Sequence, residues 1–217
     1  MNQEETLYII PARKNSKRLK NKNLLQLGNK KLIERTIEFT LKISKCSNIY
    51  LSTDSREIQK IGKKYGIYCP NLRPSYLSNS KSKSADVCIH AIRTFEKKKK
   101  IKIKNVVLLQ PTSPFRSLKL YHQTCNLFKK NLKSTVTVSP FNDKKIVNNK
   151  GISLKRFMNK SSVLYEINGN LYIILANELK KKKSFFSKNL NISVTKSKKL
   201  SLDIDTIYDL EKAKKFL

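Results

Sequence analysis

The sequence predicts an α/β fold, in which a mostly parallel sheet carries helices on both faces. Three observations support this prediction. Short apolar runs alternate with segments of helical spacing along the 217 residues. The apolar runs end at proline or at polar turn residues. Hydrophobic residues make up 39% and charged residues 29% of the chain, which is typical of a globular domain and excludes a disordered polycation. We expect one domain over residues 1–217.

The first half of the chain alternates regularly between the two kinds of element. Three apolar runs predict buried strands, at residues 7–10, 49–52 and 105–109. Helical spacing predicts helices over residues 31–44, 55–65 and 86–96, the second of them capped by Ser55. In such folds ligands bind beyond the carboxyl ends of the parallel strands. We therefore expect the binding residues in the loops 13–23, 53–55 and 110–116.

The second half of the chain contains one interruption of this rhythm. The expected elements are a helix over 117–130, strands at 134–138, 171–175 and 192–194, and a last helix from about Thr206. Residues 140–165 are rich in turn residues and include a weak strand at 152–157. The pattern predicts a hairpin over 140–165 that protrudes between two strands of the core.

Cysteine spacing and hydropathy argue against a disulfide-stabilised, zinc-binding or membrane-spanning protein. The four cysteines are scattered and have no partner at metal-ligand spacing, so neither a disulfide framework nor a zinc site is expected. No stretch of about 18 apolar residues exists, and the first residues do not form a secretory signal. We expect a cytoplasmic protein that does not associate with a membrane.

The formal net charge of +32 suggests a polyanion-binding protein. Of the 47 basic residues, however, 39 are lysine and only 8 are arginine, whereas planar recognition of phosphates and bases favours arginine. The lysine runs also lack the interleaved aromatic residues of a base-stacking surface. We interpret most of the charge as a chain-wide lysine bias and expect no nucleic-acid partner.

A cationic loop over residues 11–23 follows the first predicted strand. Six of its 13 residues are basic, and it holds two of the eight arginines, Arg13 and Arg18. A loop in this place can offer backbone N–H groups, a hydroxyl and fixed cations to one anion. The spacing is neither that of a Walker P-loop nor that of a dinucleotide-binding loop. The loop favours binding of a triphosphate.

An acidic segment lies just before the last predicted helix. Three of the six aspartates of the chain, Asp203, Asp205 and Asp209, fall within seven residues. In an extended segment Asp203 and Asp205 point to one face and can hold Mg²⁺, which leaves other coordination positions to water and phosphate. We take Asp203 and Asp205 as metal-binding candidates. Asp209 is interpreted as a residue of the helix end.

Together with the polar, proline-stiffened loop after the third strand, these segments resemble one known family. The motifs that carry the resemblance are IIPARKNSKRLKNKNL, LSTDS, LRPSYLSNS, ADVCIHAI, LLQPTSPFR, INGNLYI and LDIDTIYDL. In this order they are similar to the acylneuraminate cytidylyltransferases, the CMP-sialic acid synthetases and their bacterial relatives. The resemblance runs from residue 8 to residue 213, which is nearly the whole chain.

The resemblance implies a Rossmann-like nucleotidyltransferase fold and transfer of CMP from CTP to the anomeric hydroxyl of a nine-carbon sugar acid. It implies a homodimer, in which the hairpin 140–165 forms the contact, and Mg²⁺ bound by Asp203 and Asp205. The implied catalytic residues are Arg13, Lys22, Asp203 and Asp205. By position, the triphosphate is held by Arg13, Ser16, Lys17 and Lys22. The rest of the substrate is contacted by Asn23 and Arg73 near the nucleoside, by Gln110 near the acceptor, and by Asn168.

The chain departs from the family pattern at three places. Ser80 stands where the family usually has aspartate, Met158 and Asn159 stand where it usually has an Arg-Gln pair, and Asn170 replaces a small residue. These departures leave the acceptor open. The alternatives are a CMP-Kdo-type synthetase that acts on another sugar acid and, in a different class, a basic nucleic-acid-binding or catalytically degenerate protein.

Overall fold

The computed structural model of the chain describes residue 2 and residues 4–141, 164–186 and 189–217. Most of the predicted hairpin 140–165, including its weak strand, lies outside the described residues. The described residues build a six-stranded sheet with the order β4-β1-β5-β7-β6-β8. Its strands are β1 (Thr6–Pro11), β4 (Ile49–Ser52), β5 (Asn105–Leu108), β6 (Thr135–Pro140), β7 (Tyr165–Leu175) and β8 (Asn191–Val194).

The predicted sheet is confirmed as mostly parallel, with one reversed strand. Strand β1 pairs in parallel with β4 and β5, and β6 pairs in parallel with β8. Strand β7 lies between β5 and β6 and runs antiparallel to both. The start of β7 therefore lies at the same edge of the sheet as the carboxyl ends of β1 and β5.

Helices cover both faces of the sheet, as predicted. They are α1 (Leu32–Ile43), α2 (Arg56–Lys64), α3 (Ser84–Lys99), α4 (Leu118–Asn131), α5 (Ala176–Lys182) and α6 (Ile207–Lys214). The alternation of side chains along β1 divides the core: Leu7 and Ile9 pack with α3 and α5, while Tyr8 and Ile10 pack with α1, α2 and α4. Helix α6 packs on a third, smaller cluster around Ile204 and Phe115.

The observed bounds match most of the predicted elements to within a few residues, but β7 begins at Tyr165, six residues before the predicted strand 171–175. Ser55 caps α2, as predicted, because its side chain accepts a hydrogen bond from the Ile58 N–H. Two features were not predicted: α5, and a small hairpin of β2 (Gln26–Leu27) and β3 (Lys30–Lys31). Strands of two residues are too short to show a period, and α5 begins directly where β7 ends. Among the described residues, no helix combines the length and apolar character that a membrane span requires.

Substitution of Thr206 tests the cap of the last helix. The Thr206 hydroxyl accepts a hydrogen bond from the Asp209 N–H at 3.3 Å, and the Asp209 carboxylate accepts one from the Thr206 N–H at 2.9 Å. We expect Thr206→Ala to lower the free energy of unfolding by about 1 kcal/mol, measured by urea denaturation. Thr206→Ser keeps the hydroxyl and should remain near wild type. Equal stability of all three proteins would contradict this role of the cap.

Candidate active site

A cavity of about 350 Å³ opens at the carboxyl ends of β1 and β5. The sequence predicts that a ligand binds at this edge of the sheet. The cavity is lined by residues of the cationic loop, of the loop after β5, of the segment 73–87 and of the acidic segment before α6. Eight of the ten sequence-predicted site residues line it: Arg13, Ser16, Lys22, Asn23, Arg73, Gln110, Asp203 and Asp205.

The cationic loop is fixed to the cavity by its own side chains. Asn23 is buried and donates a hydrogen bond from Nδ2 to the Arg13 carbonyl at 2.8 Å, which joins the two ends of the loop. The Arg13 guanidinium donates to the Asn79 carbonyl at 3.1 Å across the cavity. Lys17 is exposed and does not line the cavity, although it belongs to the same loop. Its predicted contact with the triphosphate stays a prediction.

A buried arginine forms one wall of the cavity. The side chain of Arg73 is hydrogen-bonded to Ser78 Oγ at 3.3 Å, and its Nη2 lies 3.8 Å from Asp54 Oδ1. Burial lowers the pKa of Arg73, Asp54 raises it, and the neighbouring Arg13 lowers it further. The same Asp54 oxygen accepts a hydrogen bond from the Lys14 N–H at 2.7 Å. Asp54 therefore offsets only part of the positive charge, and the wall remains attractive to an anion.

The acidic segment meets the cationic loop directly. Lys22 Nζ lies 2.7 Å from one carboxylate oxygen of Asp205, and Arg18 Nη2 lies 2.5 Å from the other. The side chain of Lys22 is largely buried, whereas that of Arg18 is exposed, so the Lys22 pair is the less screened of the two. Arg18 was not predicted as a site residue. The sequence did contain a signal for it, because Arg13 and Arg18, two of only eight arginines in the chain, both lie in the cationic loop.

Asp203 occupies the buried side of the acidic pair. Burial raises the pKa of Asp203, and the charge of Asp205 raises it further, while Thr112, Lys22 and Ser113 oppose the increase. Ser113 Oγ donates to Asp203 Oδ1 at 3.3 Å. A second carboxylate and a dry environment both disfavour the ionised form, and a bound dication would relieve both.

The donors present fit a hard cation. Asp203 and Asp205 offer carboxylate oxygens in one cavity, and carboxylate is the ligand type that Mg²⁺ prefers. Within the described residues, no group of three or more His, Cys, Asp or Glu side chains suits a metal ion. Two protein carboxylates would leave positions to water and phosphate oxygens, which is typical of Mg²⁺ sites that act on nucleotides. Asp209, interpreted from the sequence as structural, caps α6.

The start of β7 supplies the third side of the site. Gly169 has a left-handed backbone, with φ of +73°, and a Cβ there would lie 2.8 Å from Ser113 Oγ and 3.2 Å from Gln110 Oε1. Only glycine allows this close approach between β7 and the loop after β5. Asn168 is 3% exposed, and its Oδ1 accepts from Thr137 Oγ1 at 2.7 Å. Asn168 does not line the cavity, and its predicted contact with substrate stays a prediction.

Several cavity residues were not predicted individually. Asn79, Ser80 and Ser82 form the rim opposite the cationic loop, and Thr112 lies beside Gln110. The signal for them was present in the LRPSYLSNS and LLQPTSPFR motifs. The departure at Ser80 therefore lies in the cavity itself, while that at Met158 and Asn159 lies outside the described residues.

Comparisons with known protein sequences identify one family, and a comparison with solved structures agrees on the fold. A family model described as cytidylyltransferase matches residues 7–216. The CMP-N,N'-diacetyllegionaminic acid synthase of Legionella pneumophila is 34% identical over 94% of this chain and 92% of its own length. The N-acylneuraminate cytidylyltransferase of Escherichia coli is 31% identical over 95% of this chain, which spans only 51% of that protein. A solved CMP:2-keto-3-deoxy-manno-octonic acid synthetase complexed with CTP shares the fold, with a TM-score of 0.74, 14% identity and 98% of both chains covered.

Proposed function

Because the chain belongs to the cytidylyltransferase family, we propose that it transfers CMP from CTP to the anomeric hydroxyl of a nine-carbon, sialic-acid-like sugar acid. The chain is an enzyme of the nucleotidyltransferase class. The names of the Legionella and Escherichia coli relatives support an acceptor of the nonulosonic acid type. The products are the CMP-sugar and pyrophosphate.

One observation carries the proposal: three cations and two carboxylates converge on a single cavity. Arg13, Lys22 and Arg73 line it together with Asp203 and Asp205. A nucleoside triphosphate with a divalent ion needs both charges, cations for its phosphate oxygens and carboxylates for the metal. A nucleic-acid-binding surface needs an extended basic face, and a half-buried acidic pair would not contribute to it.

We assign the triphosphate to Arg13, Ser16, Lys17 and Lys22. Asn23 and Arg73 contact the nucleoside, Gln110 contacts the acceptor, and Asn168 contacts the substrate. The support for this assignment is position: the first group belongs to the loop after β1, and Gln110 lies across the cavity on the loop after β5. The acceptor oxygen must then approach the α-phosphorus from the side of β5 and β7.

The reaction joins the anomeric oxygen to the α-phosphorus and breaks the bond from that phosphorus to pyrophosphate. The hydroxyl loses its proton, and negative charge builds up on the leaving group. Arg13 and Lys22 neutralise that charge from fixed positions, which is the main contribution a protein makes to phosphoryl-type transfer. Asp203 and Asp205 would hold Mg²⁺, which would supply a Lewis acid for the phosphate oxygens. Members of the family generally use a divalent metal ion.

We further propose a cytoplasmic homodimer of single-domain subunits, with the contact made by residues 140–165. The four cysteines support a reducing compartment, since all of them are free thiols and three are buried. Light scattering after size exclusion measures the mass of the assembly against the 25.1 kDa of the chain.

A pyrophosphate-release assay with CTP tests the reaction and the acceptor together. Four acceptors are compared: N-acetylneuraminic, legionaminic, pseudaminic and Kdo acids, with a reaction that lacks acceptor as the control. We expect release with at least one nine-carbon acid. Release with Kdo alone would instead support the CMP-Kdo-type alternative. No release with any acid, together with RNA or DNA affinity that falls steeply with salt, would support the nucleic-acid-binding alternative.

A further inference from the structure

Asn170 lies fully buried on β7, beside the cavity but outside its lining. Its side-chain Nδ2 donates two hydrogen bonds, to the Phe115 carbonyl at 2.7 Å and to the Leu200 carbonyl at 2.8 Å. These carbonyls belong to different segments. Phe115 is part of the loop after β5 that carries Gln110, and Leu200 lies three residues before Asp203. One amide group therefore joins two walls of the site.

The acidic segment has only a few other hydrogen bonds to that loop. The Ile204 N–H donates to the Thr112 carbonyl at 2.7 Å, and Asp203 accepts from Thr112 and, at 3.3 Å, from Ser113 Oγ. Without the amide of Asn170, the remaining hydrogen bonds would lie at Asp203 and Ile204. The start of the segment would then be positioned by the packing of Leu200 on the apolar cluster around Ile204 and Phe115, which is less directional than a hydrogen bond.

The backbone of Asn170 also fixes Gln110. The Arg116 guanidinium donates to the Asn170 carbonyl at 3.1 Å and to the Gln110 carbonyl at 2.6 Å. A third hydrogen bond connects it to Thr36 Oγ1 of α1 at 3.2 Å. The loop that carries Gln110 and the segment that carries Asp203 are thus both positioned from one residue of the central sheet.

We propose that Asn170 is a positioning residue for the reaction, which sets the distance between the acidic pair and the loop after β5. The proposal rests on the proposed function. Asn170 does not touch substrate; it acts through Leu200 on the carboxylates and through Arg116 on Gln110. Loss of the amide leaves the buried Phe115 carbonyl and the partly buried Leu200 carbonyl without this donor, and displacements of about 1 Å at a site can cost roughly 100-fold in rate.

The test compares Asn170→Ala with Asn105→Ala, a matched control. Asn105 is likewise a buried asparagine in a strand of the sheet, and its Nδ2 donates to Thr6 Oγ1 at 3.3 Å. It begins β5, at the end opposite to the loop that carries Gln110. Three quantities are measured for each variant. They are the unfolding midpoint, the kcat and KM with CTP and the acceptor, and the Kd for CTP. The Kd is measured by calorimetry with Mg²⁺ and without acceptor.

We expect both variants to unfold at lower temperature, but only Asn170→Ala to lose function. Its kcat should fall at least tenfold and its Kd for CTP should rise about fivefold, while Asn105→Ala stays within twofold of wild type in both. Asn170→Leu has nearly the same shape but no donor and should lose as much as Asn170→Ala. Asn170→Ser, which retains one donor, should recover part of the activity and serves if the alanine variant does not fold.

Two results would overturn the proposal. One is wild-type kcat and Kd in Asn170→Ala, with a loss of stability equal to that of Asn105→Ala. The other is recovery of function in Asn170→Leu, which would reduce the role of the side chain to filling space. A wild-type protein that binds CTP but releases no pyrophosphate would refute the proposed reaction alone, because the CTP affinities of the variants still decide the role of Asn170. A wild-type protein that does not bind CTP refutes both.

Discussion

Asp203→Asn is expected to lower kcat/KM for pyrophosphate release by roughly 100- to 1000-fold, without a loss of stability. Asparagine keeps the shape of the side chain and can still accept the hydrogen bond from Ser113, but it removes the charge that a dication requires. The expected kinetic loss therefore reports the charge alone. Initial rates of pyrophosphate release at saturating Mg²⁺, over a range of CTP concentrations that extends below KM, measure it.

Asp203→Asn should lower activity but should not lower stability. Burial and Asp205 raise the pKa of Asp203 in the folded chain above its unfolded value. The ionised carboxylate is therefore less favourable in the folded state than in the unfolded state. Asparagine is neutral and removes this unfavourable charge from the folded state, so the unfolding midpoint should be unchanged or higher. A stable protein with a damaged site is the pattern expected where function requires an unfavourable charge.

Asp86→Asn serves as the control for Asp203→Asn. Asp86 lies in the first turn of α3 and does not line the active-site cavity. Its kcat/KM should stay within twofold of wild type. Full activity in Asp203→Asn would contradict the assigned metal role, and equal losses in both variants would point to a general effect of lost negative charge in a very basic protein.

Gly169→Ala is expected to reduce kcat by about 100-fold, since the new methyl group would crowd Ser113 and the cavity residue Gln110. Its Cβ would lie 2.8 Å from Ser113 Oγ, 3.2 Å from Gln110 Oε1 and 3.6 Å from Asp203 Cγ. The first distance is too short for any real contact, so Ser113 or β7 must move. The left-handed backbone, with φ of +73°, adds a cost of about 1–2 kcal/mol to folding for any residue with a Cβ.

Gly66→Ala separates the two effects. Gly66 has almost the same backbone, with φ of +70°, but nothing lies within 4 Å of its Cβ position. It should therefore lose stability through the backbone alone and keep the kcat of wild type. Thermal unfolding measures the stability of both variants. Initial rates at saturating CTP and acceptor measure their kcat. Wild-type kcat in Gly169→Ala would show that the close approach of β7 to the loop after β5 is not required for activity.

The sequence predicts the elements of this fold well because burial controls their composition. Strands such as β1 and β5 are buried on both faces and so appear as continuous apolar runs. The direction of β7 could not be predicted in the same way, because an apolar run is the same for a parallel and an antiparallel strand. The order of the strands likewise depends on pairings between distant segments, of which the pairing of β5 with β7 is one.

The site was predictable to the extent that its residues are concentrated in the sequence. Arg13 and Lys22 stand in one loop, and Asp203 and Asp205 in one short segment, so local composition identified them. Arg18 and Asp205 are 187 residues apart in the sequence, and local composition cannot predict that they form an ion pair. The same holds for Asn170, whose departure from the family pattern was visible but whose two carbonyl partners depend on the fold.

The pairing at the ends of the undescribed segment has an evolutionary consequence. Pro140, at the end of β6, is the register partner of Tyr165, at the start of β7, and the Phe141 N–H donates to the Leu164 carbonyl at 2.9 Å. Whatever lies between these residues enters and leaves the sheet at one point, on the side where Gly169 approaches Ser113. Insertions, deletions and substitutions can therefore accumulate in that segment without shifting the register of β7. Such an arrangement allows relatives to diversify next to a fixed reaction centre.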